Sequence, residues 1–121
     1  MLKSVLASIG AALRGLGYVF RHEANFQRHV GAAVGAVALS FWLPLRHSEW
    51  LIIVLLIFLV LILEIVNTAL EKLLDTVHPR LRFAVGLVKD IMAASVLLSA
   101  LLSLVVGAMI FIPHLLERFA P

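Results

Sequence analysis

Cysteine is absent from the 121 residues, which excludes a disulfide framework, a thiolate nucleophile and a thiolate metal site, and leaves the redox compartment open. Charge is also scarce. Charged residues make up 14% of the chain against 63% hydrophobic, and with a mean hydropathy of +1.10 this balance excludes a water-soluble core and describes one small integral membrane domain. The ten Lys and Arg outnumber the seven Asp and Glu, for a net charge of +3, yet the basic residues are scattered and form no tract. Nucleic acid is therefore not an expected partner, and anionic lipid headgroups are. There is no G-x-x-x-x-G-K-[ST] loop and no signature set of the soluble kinases, so the usual phosphate-cradling designs are excluded. No internal repeat or low-complexity segment divides the chain.

What is present is hydrophobic periodicity. Residues 1–27 place Leu2, Val5, Leu6, Ile9, Leu13, Leu16 and Phe20 at steps of three and four, with Lys3, Arg14 and Arg21 roughly opposite, the pattern of an amphipathic helix lying in the membrane interface. Arg14 interrupts the apolar centre that a secretory signal needs. Three spans are expected after it, over 30–45, 50–70 and 90–112. Gly31 and Gly35 give the first a small-xxx-small pattern suited to close helix approach; Pro44, Arg46, His47 and Glu49 mark a turn. Residues 76–89, with Pro79 and Gly86, are expected to return the chain at the interface. Pro113 is expected to end the third span, and Ser95, Ser99 and Ser103 along it read as a packing stripe. Lys3, Arg14, Arg21 and Arg28 precede the first span and Lys72, Arg80, Arg82 and Lys89 border the second connection, so both regions are expected on the cytoplasmic side.

Residues 64–75, EIVNTALEKLLD, break the apolar pattern. At about 100° per residue, Glu64, Asn67, Glu71 and Asp75 fall within roughly 80° on one helix face. Counted from Trp50, Glu64 lies ~21 Å into a hydrocarbon layer ~30 Å thick, where an ionisable group costs about 2.5 to 3.5 kcal/mol on insertion scales and marks a functional site by default. Something cationic is expected opposite these acids. Glu23 is a second anomaly, at the apolar edge of the first helix, where Arg21 offers it an ordinary ion pair. The five histidines share no metal-ligand spacing on one helix and read as interfacial side chains.

A hard divalent cation such as Mg²⁺ takes carboxylate oxygens, commonly one or two from protein with the rest from substrate phosphates and water. Glu23 and Glu71 suit that role, Lys89 offers charge to phosphate oxygens, and a deeper carboxylate can take a proton from a hydroxyl arriving through the lipid. Phosphoryl transfer requires little more than this positioning and charge compensation. A small oligomeric channel with Glu64 and Asn67 lining an ion path is the alternative from another class, although a pore has no use for Glu23, Glu71 and Lys89 clustered at one surface.

These residues resemble a known family. Glu23-Ala24-Asn25-Phe26, the run from Glu64 through Asn67 to Glu71, Asp75, and Lys89-Asp90 are similar in identity and spacing to motifs of the small integral membrane diacylglycerol kinases of bacteria, which include the undecaprenol kinases. The resemblance covers nearly the whole chain. It implies an all-α membrane fold, a homotrimer of three-span protomers with an amphipathic amino-terminal helix, and active sites shared between subunits. It implies transfer of the γ-phosphate of ATP, with Mg²⁺, to a lipid hydroxyl at the cytoplasmic side of the bacterial inner membrane. Glu64 would be the catalytic base, Glu23 and Glu71 the metal ligands, and Asn67, Asp75, Lys89 and Asp90 nucleotide-site and supporting positions. The chain departs from the family near Ala11, where an aromatic is common, and at Arg80-Leu81-Arg82, where a Glu-Tyr-His-like run is common. Its run from Glu23 to His29 is more like the undecaprenol branch than the diacylglycerol branch.

Overall fold

A computed structural model describes residues 1–76 and 82–120, with the side chain of Arg82 left aside. Among these residues every regular element is an α-helix, in the order α1 (Leu2–His22), α2 (Ala24–Trp42), α3 (His47–Asp75) and α4 (Arg82–Phe119). The composition accounts for this. Long runs of Leu, Ala and Ile favour helix, and in hydrocarbon a helix satisfies its backbone hydrogen bonds internally.

α1 and α2 meet at an elbow on Glu23, the one residue between them, whose backbone is extended (φ −111°, ψ 107°). Its N–H closes the last turn of α1 on Val19 O at 3.0 Å, and Gln27 Nε2 donates back to Phe20 O at 2.9 Å. Phe20 meets Phe26 edge to face at 6.5 Å, and Val19 and Phe26 are buried beneath the bend. The elbow thus fixes Glu23 by backbone geometry and packing together.

At the other end of the molecule the turn around Pro44 leads into α3. The Arg46 N–H donates to Glu49 Oε2 at 2.7 Å, so the side chain three residues into the helix satisfies a donor at its start. The same carboxylate oxygen lies 3.0 Å from His114 Nε2 of α4. Nearby, Arg118 sits over the Trp42 ring at 4.5 Å, tying the end of α4 to the end of α2. Pro113 lies inside α4 and does not end it, as had been expected. The backbone acceptor that proline frees is tolerated in membrane helices when neighbouring groups can compensate.

α4 packs along α3 more extensively than any other pair of helices pack. α3 and Phe83–Phe119 are each long and apolar enough to cross a membrane. α4 already begins at Arg82, eight residues before the expected start of the third span at residue 90, so much of the 76–89 connection is helix. Arg80 lies outside the described residues, as does the Arg82 side chain, so the departure from the family at Arg80-Leu81-Arg82 falls there.

The distribution of side chains is inverted relative to a soluble protein. Leu55, Phe58, Leu98 and Leu104 are exposed, whereas Ser40, Glu64, Asn67, Thr68 and Ser99 are buried, the arrangement expected when the surrounding solvent is hydrocarbon. The serine stripe is structural. Ser95, Ser99 and Ser103 donate to carbonyls of their own helix at 2.7 to 2.9 Å. Gly31 and Gly35 make no close approach within the chain, since a Cβ on either would meet nothing within 4 Å.

Candidate functional site

The buried residues of α3 are Ile53, Val60, Glu64, Asn67 and Thr68. At about 100° per residue they share one face, so the stripe that breaks the apolar pattern points into the bundle. Glu64 retains 3% of its accessible surface. A charge in such a place is sustained by partners. The one in contact is His29 of α2, whose Nε2 lies 3.8 Å from Glu64 Oε2, and the other charged groups acting on Glu64 are Glu71 and Glu23. The group opposite the buried acid is therefore a histidine that spacing alone did not single out.

Glu23 pairs with Lys72 of α3, at 3.3 Å, and not with Arg21. Glu71 is half-buried. One turn further along α3, Asp75 accepts a hydrogen bond from the Lys89 ammonium of α4, so the two basic residues near the stripe each bridge it to another element. Asp90 is exposed and stands apart from these contacts.

Two buried oxygens beside Glu64, Asn67 Oδ1 and Thr68 Oγ1, have no hydrogen-bond partner among the described residues. Buried polar atoms are nearly always satisfied in native proteins, so this pair is suited to a ligand or water that brings donors. No group of three or more His, Asp or Glu gathers as a complete metal cage among the described residues. A cation that draws only one or two carboxylates from protein and the remainder from phosphate and water fits such a donor set.

An apolar cavity of about 520 Å³ lies between α2, α3 and α4. Ala32, Ala36, Ile53, Val60, Leu104 and Gly107 form much of its wall, and His29 also lines it. Gly107 is buried, yet a Cβ there would meet nothing within 4 Å, so its missing side chain is part of the space. The cavity thus runs beside the helix face that carries Glu64, with His29 common to both.

Comparison with known proteins gives this arrangement a class. A family model described as prokaryotic diacylglycerol kinase matches residues 10–111. The chain is 38% identical over 106 residues to the undecaprenol kinase of Bacillus subtilis (strain 168), covering 84% of this chain and 83% of that one. It is 33% identical over 115 residues to the diacylglycerol kinase of Synechocystis sp., covering 94% of this chain and 66% of the relative. It is 24% identical over 110 residues to the diacylglycerol kinase of Escherichia coli (strain K12), covering 91% and 90%. The molecule is a helical membrane lipid kinase, a phosphotransferase with an alcohol acceptor and a nucleotide donor. The chain belongs to the prokaryotic diacylglycerol kinase family, and a channel is no longer needed to explain an acid at membrane depth.

Proposed function

We propose that the protein transfers the γ-phosphate of ATP, with Mg²⁺, to the hydroxyl of a membrane lipid at the cytoplasmic face of the bacterial inner membrane. The observation that carries this reading is Glu64, buried at 3% exposure in a face shared with two oxygens that lack partners among the described residues. Glu64 is the base that takes the hydroxyl proton. Glu23 and Glu71 hold the metal, which when bound neutralises phosphate charge. Asn67 offers its free oxygen within the nucleotide site; Asp75 and Lys89 form its outer edge, Lys89 turning toward phosphate when nucleotide is present, with Asp90 in support.

The lipid chain lies in the apolar cavity, and the buried Gly107 leaves room for it. Undecaprenol is the preferred alcohol. The 38% identity to an undecaprenol kinase and the run from Glu23 to His29 support it. Diacylglycerol is the second reading, supported by the 33% relative of that name. α1 lies in the interface, its exposed Leu2, Leu6, Ile9, Leu13 and Leu16 in the acyl boundary, and α2, α3 and α4 cross the membrane. Three protomers assemble with active sites shared between them.

The test supplies γ-labelled ATP, Mg²⁺ and a panel of lipid alcohols to the purified protein in micelles. Label is expected on undecaprenol in preference to diacylglycerol. Label on diacylglycerol alone reverses the substrate assignment, and label on no lipid overturns the reaction.

A further inference from the structure

Glu64 is almost sealed from solvent, and a base that is sealed needs a way to discharge its proton after each turnover. Its side chain is 4% exposed, whereas that of its contact, His29, is 25% exposed. His29 therefore faces the buried carboxylate with one ring nitrogen, 3.8 Å away, while a quarter of its side chain stays exposed. It also lines the apolar cavity. The other polar residue of that lining, Ser103, has its hydroxyl committed to Ser99 O at 2.9 Å. No hydrogen bond to its own helix occupies the His29 ring among the described contacts, so both ring nitrogens are available.

Resting on Glu64 as the base, we propose that His29 is a positioning residue that relays the proton out of the site. In the transfer step the lipid oxygen bonds to the γ-phosphorus as the bond from that phosphorus to the bridging oxygen of the nucleoside diphosphate breaks. The hydroxyl proton passes to Glu64. From Glu64 Oε2 it moves to His29 Nε2, while Nδ1 gives up its own proton to water, so the imidazole ends neutral and the carboxylate ionised. The 3.8 Å separation exceeds a direct hydrogen bond, and one bridging water or the tightening that accompanies substrate binding closes it.

Few other groups can take this place. The remaining charged groups that act on Glu64 are Glu71 on its own helix and Glu23 at the elbow, both acids. α4 contributes no titratable side chain between residues 100 and 111, where it lines the cavity. A histidine that served only as packing could not be replaced by an imidazole free in solution.

The experiment compares His29→Ala, His29→Asn and Glu64→Gln in micelles. For His29→Ala, kcat is expected to fall about 10- to 100-fold, within the range of acid–base effects, with the KM for nucleotide unchanged. Free imidazole in the buffer should restore activity in proportion to its concentration. His29→Asn, which keeps a polar side chain of similar reach but cannot pass a proton, should be slow as well. Glu64→Gln should be inactive and unresponsive to imidazole. A His29→Ala protein that turns over at the wild-type rate, or a loss that imidazole does not restore while His29→Asn keeps the wild-type rate, overturns the relay while leaving Glu64 as base if Glu64→Gln is dead. An active Glu64→Gln overturns both.

Discussion

A carboxylate inside hydrocarbon is costly by itself, so the residues around Glu64 explain more than Glu64 does. His29 lies at 3.8 Å, and Asn67 and Thr68 present oxygens that lack partners among the described residues. If Glu23 and Glu71 hold the metal, Glu71→Gln should raise the Mg²⁺ concentration for half-maximal activity while leaving the lipid KM unaltered. Unaltered metal dependence removes Glu71 from that role. Lys72 bears on the same point from the other side. Its ammonium sits 3.3 Å from Glu23, where a cation would compete with the metal. Half its side chain is exposed, and exposed pairs contribute little to stability. Lys72→Ala should therefore leave thermal stability nearly unchanged and lower the Mg²⁺ requirement; a raised requirement would mean that the ammonium assists metal binding.

Among the helices, what was legible in the sequence was whatever a single helix dictates. The face shared by Glu64, Asn67 and Glu71 follows from the 3.6-residue period alone, and the burial of Glu64 and Asn67 agrees with it. What was not legible depends on which helix lies beside which. One histidine among five carries no spacing signal, and His29 meets Glu64 only because α2 runs back along α3. The pairing of Glu23 with Lys72, in place of Arg21, likewise follows from the elbow, which turns residue 23 toward α3. Pro113 was misleading for a local reason: proline disfavours helix interiors in water far more than in a packed membrane helix. Gly107 offers a test at this scale. Gly107→Leu places a side chain in the cavity between the helices and should raise the lipid KM at least several-fold without moving the nucleotide KM. An unchanged lipid KM would show that the chain lies elsewhere.

For the whole molecule, a small number of charges is arranged across a body otherwise built for lipid. The acids and their basic partners gather where α1, α2, α3 and the start of α4 meet, and the opposite end holds the Glu49–His114 and Arg118–Trp42 contacts. If three protomers assemble as proposed, the open flank at Gly31 and Gly35 is where α2 would meet a neighbour. In micelles the protein mass should correspond to three chains. If sites are shared, co-assembling Glu64→Gln with Lys89→Met, each inactive alone, should restore part of the activity; none would be recovered if each chain carries a complete site. On the proposed mechanism the reaction turns on one side chain, Glu64. The most direct measurement is the rate of γ-phosphate transfer to lipid by Glu64→Gln beside wild type at matched assembly size. Loss of transfer by a protein that still assembles and binds nucleotide is the expected result, and transfer at the wild-type rate would contradict the assignment of Glu64 as the base.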